Sequence, residues 1–259
     1  MNFWTHTLHL LGSGATAYIL SRNLCDRQSR PNLLAGFQLA EAGSVPFLEK
    51  LSRRAADEGD EWLAERLQRH ANDERRHAQI FSQALKRLNK QAISLSDRAA
   101  SDAKASDTSE TNAGDTPPRR RTFFAVYYDG YSKEDLAAEV IDWTVFLAST
   151  HILELDACRD FMGMVRSLTG DSAEPHLRDG LLSIANDEKR HAAYLYEALE
   201  RRMSAMEVTA VVEQWRSRKV DAMFAMVQNF MQQQGKMQEL AQDGAPVEEP
   251  EAAIAAHTT

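Results

Sequence analysis

The chain is poor in the residues that build disulfide frameworks and turns. It has two cysteines, Cys25 and Cys158, among 259 residues. Two thiols cannot form a disulfide scaffold, a four-cysteine zinc site or a four-cysteine iron site. Glycine and proline are also scarce, at 12 and 7 residues. Because both mark turns, long stretches without them favour helices over a many-stranded β fold.

An excess of positive charge and a long apolar run are also missing. The 38 acidic residues exceed the 30 basic ones, for a net charge of −8. That balance argues against nucleic acid as the main partner, because phosphate binding needs a basic surface. No apolar segment approaches the roughly 20 residues of a membrane-spanning helix. Residues 8–20 are apolar but follow no Lys or Arg, unlike an export signal. We expect a cytoplasmic protein that does not associate with membranes.

Apolar residues recur at helical spacing in five long segments. The predicted helices cover residues 31–56, 61–88, 133–168, 176–203 and 206–236. Pro46 should kink the first helix rather than end it. Ser132 is the predicted N-cap of the third, although the residue three positions later is Asp135 rather than the Glu or Gln of a full capping box.

Composition divides the chain further. Residues 1–30 are expected to dock on the body or on a neighbouring subunit, and residues 31–236 to form one helical bundle. Within it, residues 91–121 are rich in Ser, Asp, Ala and Thr and predict a flexible linker. Residues 237–259 are rich in Ala, Glu and Pro and predict a disordered tail.

A repeated heptapeptide carries the main chemical signal. Residues 72–78 (NDERRHA) and 186–192 (NDEKRHA) match at six of seven positions. The two copies pair Glu74 with His77 and Glu188 with His191. Three residues are nearly one helical turn, so each carboxylate shares a helix face with an imidazole. A single copy would usually be a pair of solvated neighbours, but two near-identical copies favour metal binding.

Two further glutamates stand at matching distances upstream of these motifs. Glu41 and Glu154 precede the motif glutamates by 33 and 34 residues. In a hairpin of antiparallel helices, residues equidistant from the turn lie at the same height. The two midpoints fall beside Gly59 and Gly170, where composition already suggests turns. Each hairpin then offers two carboxylates and one imidazole at one level.

Two hairpins facing each other would gather four carboxylates and two imidazoles around one point. Four carboxylates balance the charge of two divalent ions, whereas without metal they would be buried and repel one another at a cost of several kcal/mol each. A mixed carboxylate and imidazole set suits iron or manganese better than metals that prefer thiolates. We therefore expect two iron ions, with manganese as the alternative.

This pattern resembles the ferritin-like superfamily, in the branch with two Glu-x-x-His motifs that includes rubrerythrins, bacterioferritins and di-iron oxygenases. The resemblance covers residues 31–203. It implies an all-α, ferritin-like four-helix bundle with a long crossover between its second and third helices, where residues 91–121 fall. The implied metal ligands are Glu41, Glu74, His77, Glu154, Glu188 and His191. Glu74 and Glu188 would bridge the two ions, and Glu41 and Glu154 would be terminal.

Other polar residues stand close to the implied ligands. Asp73 and Asp187 precede the bridging glutamates, and in similar enzymes an Asp there accepts a hydrogen bond from a ligand histidine. Alternatively, they are exposed helix carboxylates. His151, one turn before Glu154, and its counterpart Gln38 could donate hydrogen bonds to ligands. His151 could instead be an extra ligand or a hydrogen-bonded core histidine, and we favour the last.

The function expected from this resemblance is a di-iron oxidoreductase that activates O2, an oxygenase or oxidase acting on a small organic molecule. Such an enzyme needs O2 or peroxide and an external electron donor, and a homodimer is compatible with the sequence. One alternative is a rubrerythrin-like peroxidase or ferroxidase that protects against oxidative stress. Rubrerythrins usually have a tyrosine near the position of residues 47 and 48 in the first half. The residues here are Phe47 and Leu48, and the missing phenol weakens the rubrerythrin-like alternative. Further alternatives are a tRNA hydroxylase-like enzyme and a non-catalytic bundle stapled by metal.

Overall fold

The computed structural model describes residues 14, 16–93, 122–170, 174–232 and 239–244. This part of the chain is almost entirely helical, which confirms the all-α prediction. In chain order the elements are α1 (residues 16–25), α2 (Arg30–Asp57), α3 (Glu61–Arg87), β1 (Lys90–Ala92), α4 (Phe123–Tyr127), α5 (Trp143–Ser167), α6 (Pro175–Glu200), α7 (Ala205–Gln232) and β2 (Ala241–Asp243). Among these helices, none combines the length and the apolar character that crossing a membrane requires.

Four long helices pack as two hairpins. Helix α2 packs along α3, and α5 packs along α6. The turn between α2 and α3 has three residues: Gly59 adopts a positive φ of 84°, and the Asp60 side chain caps α3 by accepting from Leu63 N at 3.0 Å. The two hairpins meet along α3 and α6. Helix α7 covers α5 on the outside and packs against the short α4.

The apolar core forms two separate clusters, one towards each end of the four long helices. The first includes Leu51, Leu63, Leu67, Leu147 and Leu195. The second includes Leu34, Phe81, Leu85, Met164 and Leu181. On every one of the four helices, the predicted metal ligands lie between the residues of the first cluster and those of the second. The ligands therefore occupy a polar layer that is closed above and below by packed side chains.

Most predicted helix boundaries are accurate to within three residues, but the third helix is not. It begins at Trp143 rather than at residue 133, and residues 133–142 form turns. Ser132 and Asp135 do exchange hydrogen bonds, at 2.9 and 3.1 Å, but these close a turn and not a helix. The N-cap is Asp142, whose carboxylate accepts from the backbone N–H groups of Thr144 and Val145 at 2.8 and 3.1 Å.

A small antiparallel sheet replaces the start of the predicted linker and part of the predicted tail. Strand β1 pairs with β2, with Lys90 opposite Asp243 and Ala92 opposite Ala241. The Asn32 side chain on α2 accepts from the backbone of Leu240 and, at 3.2 Å, of Ala241. Residues 94–121 of the linker, most of the tail and the predicted end of the fifth helix at 233–236 lie outside the described residues.

Substitution of Gly59 tests how much its left-handed backbone conformation contributes to the stability of the protein. A left-handed conformation costs an L-residue about 1–2 kcal/mol, and no atom lies within 4 Å of a Cβ added at Gly59. We therefore expect Gly59→Ala to lower the free energy of unfolding by about 1 kcal/mol in denaturant titrations, through backbone strain alone. Gly43, within α2, also has open space around it. Gly43→Ala should instead raise the free energy of unfolding by about 0.5–1 kcal/mol, and shifts of the same sign in both variants would contradict this account.

Candidate metal centre

All six predicted ligands meet in the polar layer between the two apolar clusters. Glu74 on α3 and Glu188 on α6 each lie near both imidazoles. Glu74 Oε1 is 3.7 Å from His77 Nδ1 and 3.5 Å from His191 Nδ1. The Glu188 carboxylate oxygens are 3.3 and 3.5 Å from the same two atoms. This is the arrangement that two bridging carboxylates would have.

The other two glutamates each lie beside one end of the centre. Glu41 Oε2 on α2 is 3.9 Å from His77 Nδ1, and Glu154 Oε2 on α5 is 3.7 Å from His191 Nδ1. Their side chains are 13% and 14% exposed, whereas those of Glu74 and Glu188 are 6% and 3% exposed. Glu41 and Glu154 are thus slightly more exposed than the two glutamates that lie near both imidazoles.

The ligand atoms form two groups, each compact enough to hold one metal ion. Within each group one ligand atom per residue lies within 4.8 Å of the others. One group consists of Glu41, Glu74, His77 and Glu188, and the other of His70, Glu74, Glu154 and His191. Glu74 belongs to both groups, so one carboxylate can serve two neighbouring ions.

His70 is a third imidazole that the sequence analysis missed. Its Nε2 lies 3.1 Å from Glu74 Oε1 and 3.4 Å from Glu154 Oε1, and its ring stacks on His191 at 3.7 Å. Its Nδ1 is 2.8 Å from the hydroxyl of Tyr194. The repeat conceals His70, because the corresponding residue 114 positions later is Ile184. Its place one turn before Glu74, on the same helix face, was the available signal.

Two aspartates bind the motif histidines at Nε2, the ring nitrogen that points away from the glutamates. His77 Nε2 is 3.2 Å from Asp187, and His191 Nε2 is 3.2 Å from Asp73, so each bond crosses from one hairpin to the other. Burial disfavours the Asp73 carboxylate, but the hydrogen bond to His191 and the nearby arginines lower its pKa to about 2. An ionised carboxylate can only accept, so Nε2 must donate. Nδ1 of each histidine is then left with a lone pair that faces the glutamates.

Two arginines complete this outer layer. Arg76 binds Asp187, and Arg190 binds Asp187 and, at 3.4 Å, Asp73. For Asp187, burial is again outweighed, and the bonds to His77 and Arg190 lower its pKa. The outer layer therefore keeps both aspartates ionised and joins the repeats of the two hairpins.

Several buried ligand atoms at the centre form no hydrogen bond with a described residue, although opposite groups lie close to them. Glu74 Oε1, His77 Nδ1 and His191 Nδ1 are buried without a hydrogen bond. Buried polar atoms almost always form a hydrogen bond. Three such atoms without one, all at the same place, indicate a missing partner. A metal ion accepts lone pairs from all three atoms, and the donor set therefore fits a pair of metal ions.

The protonation of the centre supports the same conclusion. Burial raises the pKa of Glu41 and, together with the charge of Glu154, raises that of Glu188 to about 7. Burial disfavours the His77 imidazolium, but the adjacent carboxylates of Glu188 and Glu41 outweigh it and raise its pKa to about 10. The pKa values of Glu74 and Glu154 are instead lowered, because interactions with neighbouring carboxyl groups and with His70 outweigh their burial. Protons are thus shared unevenly among these groups, and the imidazole of His77 holds one of them. A site that takes up positive charge in this way is suited to divalent cations.

The remaining two predicted residues do not join the centre. His151 is buried, and its Nδ1 donates to the carbonyl of Ala192 at 2.8 Å, which makes it a hydrogen-bonded core histidine. Burial lowers its pKa. Gln38 is half-buried and forms no hydrogen bond to another described residue. The prediction that either would donate a hydrogen bond to a ligand is not supported.

A largely apolar cavity of about 330 Å³ lies along α5, with further lining residues from α1, α2, α4 and α7. Phe37 of α2 and Phe161 of α5 form one wall, with ring centroids 5.3 Å apart. Ala157 lines the cavity one turn after Glu154. Helix α7 closes the other side with Met223 and Met226. The cavity therefore adjoins the helices that carry the two more exposed glutamates.

Comparison of the chain with protein-family models, with curated proteins and with solved structures gives no match.

His70 can be tested by substitution. If it contributes a ligand atom to one of the two groups, His70→Ala should weaken binding of one of two metal ions by roughly 10–100-fold, the range seen when groups that support a metal ligand are lost. Titration with ferrous ion, followed by elemental analysis, measures this. His151→Ala also removes a buried imidazole, but one outside the centre, and should leave both ions bound. Equal losses in the two variants would mean that His70 has a packing role only.

Proposed function

We propose that this protein is a ferritin-like di-iron carboxylate oxidoreductase that activates O2 to oxidise a small organic molecule. The observation that carries the proposal is the buried layer of four glutamates and three histidines, in which three ligand atoms form no hydrogen bond with a described residue. A cluster of this kind would be strongly destabilising unless cations neutralised it.

The donor set favours iron over most other metals. The two candidate ligand groups consist of carboxylate oxygens and imidazole nitrogens, and this combination suits iron or manganese. Iron, when bound as a pair, supplies the electrons that reduce dioxygen. An external donor would have to restore those electrons after each turnover.

The chain's own residues would keep the centre ordered and dry. Asp73 and Asp187 fix the proton on Nε2 of the two motif histidines, so that Nδ1 stays available as a ligand. The packed apolar clusters exclude water on two sides. Glu41 and Glu154 are more exposed than the shared carboxylates, and we propose that small molecules reach the centre beside them.

The adjoining cavity supports oxidation of an organic substrate over the removal of peroxide alone. Peroxide needs no apolar pocket, whereas a volume of about 330 Å³ lined by phenylalanine and methionine fits a small organic molecule. A tRNA hydroxylase-like activity has less support, because the net charge of −8 disfavours binding to a polyanion.

Metal analysis tests the site itself. Protein loaded with ferrous ion should bind about two ions per chain. Glu74→Ala and Glu188→Ala should each lose most of this iron, because each removes a carboxylate placed between both imidazoles. The matched control is Glu65→Ala, which removes an exposed glutamate from the same helix as Glu74 and should keep the iron. Full iron content in both site variants would refute the metal centre.

A single-turnover experiment tests the reaction class. Protein loaded anaerobically with ferrous ion and then mixed with O2 should oxidise its iron much faster than the same iron in buffer, and Glu74→Ala should abolish the difference. The parallel reaction with hydrogen peroxide in place of O2 gives the comparison. Much faster oxidation by peroxide than by O2 would favour the peroxidase alternative. Tight iron binding without faster oxidation by either reagent would favour the alternative of a non-catalytic bundle that is held together by metal.

A further inference from the structure

The cavity along α5 is mostly apolar, but three charged side chains also line it. These are Asp156 and Asp160 of α5 and Lys219 of α7. Asp156 and Lys219 are 8% and 6% exposed and form an ion pair with each other. Asp156 also lies 3.3 Å from Arg159, whose side chain is 57% exposed. Asp156 and Lys219 are therefore already paired, and neither supplies a free charge for a ligand.

Asp160 differs from its two neighbours, because it forms no hydrogen bond or ion pair with any described residue. It lies between Phe161 and Arg159 in sequence and lines the cavity from α5. Burial raises its pKa to about 7, although the charge of Arg159 opposes the shift. The Asp160 carboxylate is thus poorly solvated and has no cation of its own.

The charge inside the cavity follows from these contacts. Two carboxylates and one ammonium give a formal charge of −1 when all three are ionised. A bound carboxylate would meet Asp160 and the already paired Asp156, with no free cation to receive it. A bound ammonium would supply Asp160 with the missing partner and bring the cavity to neutrality.

We infer that this cavity binds a monocationic amine with an apolar body, whose ammonium group pairs with Asp160 and whose hydrocarbon part contacts Phe37, Phe161 and Met226. This inference deepens the proposed function by naming the class of substrate. Asp160 is six residues after Glu154, about 9 Å along the helix axis at 1.5 Å per residue. The carbon nearest the metal centre would therefore lie several bonds from the nitrogen.

Binding of three six-carbon probes tests the inference without any turnover. Hexylamine, 1-hexanol and hexanoate are unbranched chains of six carbons that differ in the charge of the polar end. At about pH 8 an alkylamine is still protonated, since its pKa is close to that of lysine at about 10.4, and Asp160 is largely ionised. Calorimetric titration of the full chain should show hexylamine binding at least tenfold tighter than either other probe.

Two variants locate that binding. Asp160→Asn should remove the preference for hexylamine over hexanol, while Asp179→Asn, an exposed aspartate on α6, should keep it. Met226→Trp, which fills the cavity from α7, should weaken all binding at least tenfold. Circular dichroism and iron content should be unchanged in all three, since none of these residues belongs to the centre.

The remaining outcomes overturn the inference. Equal or tighter binding of hexanoate, or the absence of hexylamine binding, would show that Asp160 does not select a cation. Hexylamine binding that survives both Asp160→Asn and Met226→Trp would place it elsewhere on this acidic protein. None of these results depends on iron loading or oxygen consumption, so the metal centre and its proposed activity stand or fall on their own experiments.

Discussion

The structure depends on one electrostatic constraint, which is that four carboxylates and three imidazoles are buried together in the middle of an apolar bundle. Unpaired buried charges cost several kcal/mol each, so this layer can exist only if positive charge is bound within it. Protons provide some of that charge, as the raised pKa values of Glu41 and His77 indicate. Two metal ions would provide it in full and would also satisfy the orphaned ligand atoms. Binding of metal ions at these groups would therefore be coupled to folding of the central layer.

The helical hairpins place this layer between two packed clusters instead of at an end of the bundle. Because each of the four helices is apolar on both sides of its ligands, the hairpins are already held together above and below the centre. The paired bonds from His77 to Asp187 and from His191 to Asp73 then join the hairpins at the level of the ligands. These contacts orient the imidazoles before any ion binds, which limits the rearrangement that binding requires.

What could be predicted from sequence depended on whether a feature was local or repeated. The Glu-x-x-His repeat and the equidistant Glu41 and Glu154 predicted which six side chains would meet, because helix geometry and hairpin symmetry suffice for that. The start of α5 was predicted wrongly, since Ser132 and Asp135 carry the local signature of a cap but close a turn. The pairing of β1 with β2 had no local signature at all, because it joins residues about 150 positions apart.

The features that the repeat did not predict are those that break its symmetry. His70 and Tyr194 correspond to Ile184 and Ile80 in the other half of the repeat. One end of the centre therefore has a hydrogen-bonded polar pair where the repeat places two isoleucines at the other end.

The cavities differ between the two ends as well. A small cavity of about 100 Å³, lined by Arg69, His70 and Arg190 among others, reaches the end that has the polar pair. The larger apolar cavity adjoins α2 and α5 instead. The duplicated residues thus form a nearly symmetric ligand set, and the residues that differ between the halves give its two ends different surroundings. An asymmetric reaction needs such a difference, because a substrate must approach the centre from one side while protons and electrons can arrive from another.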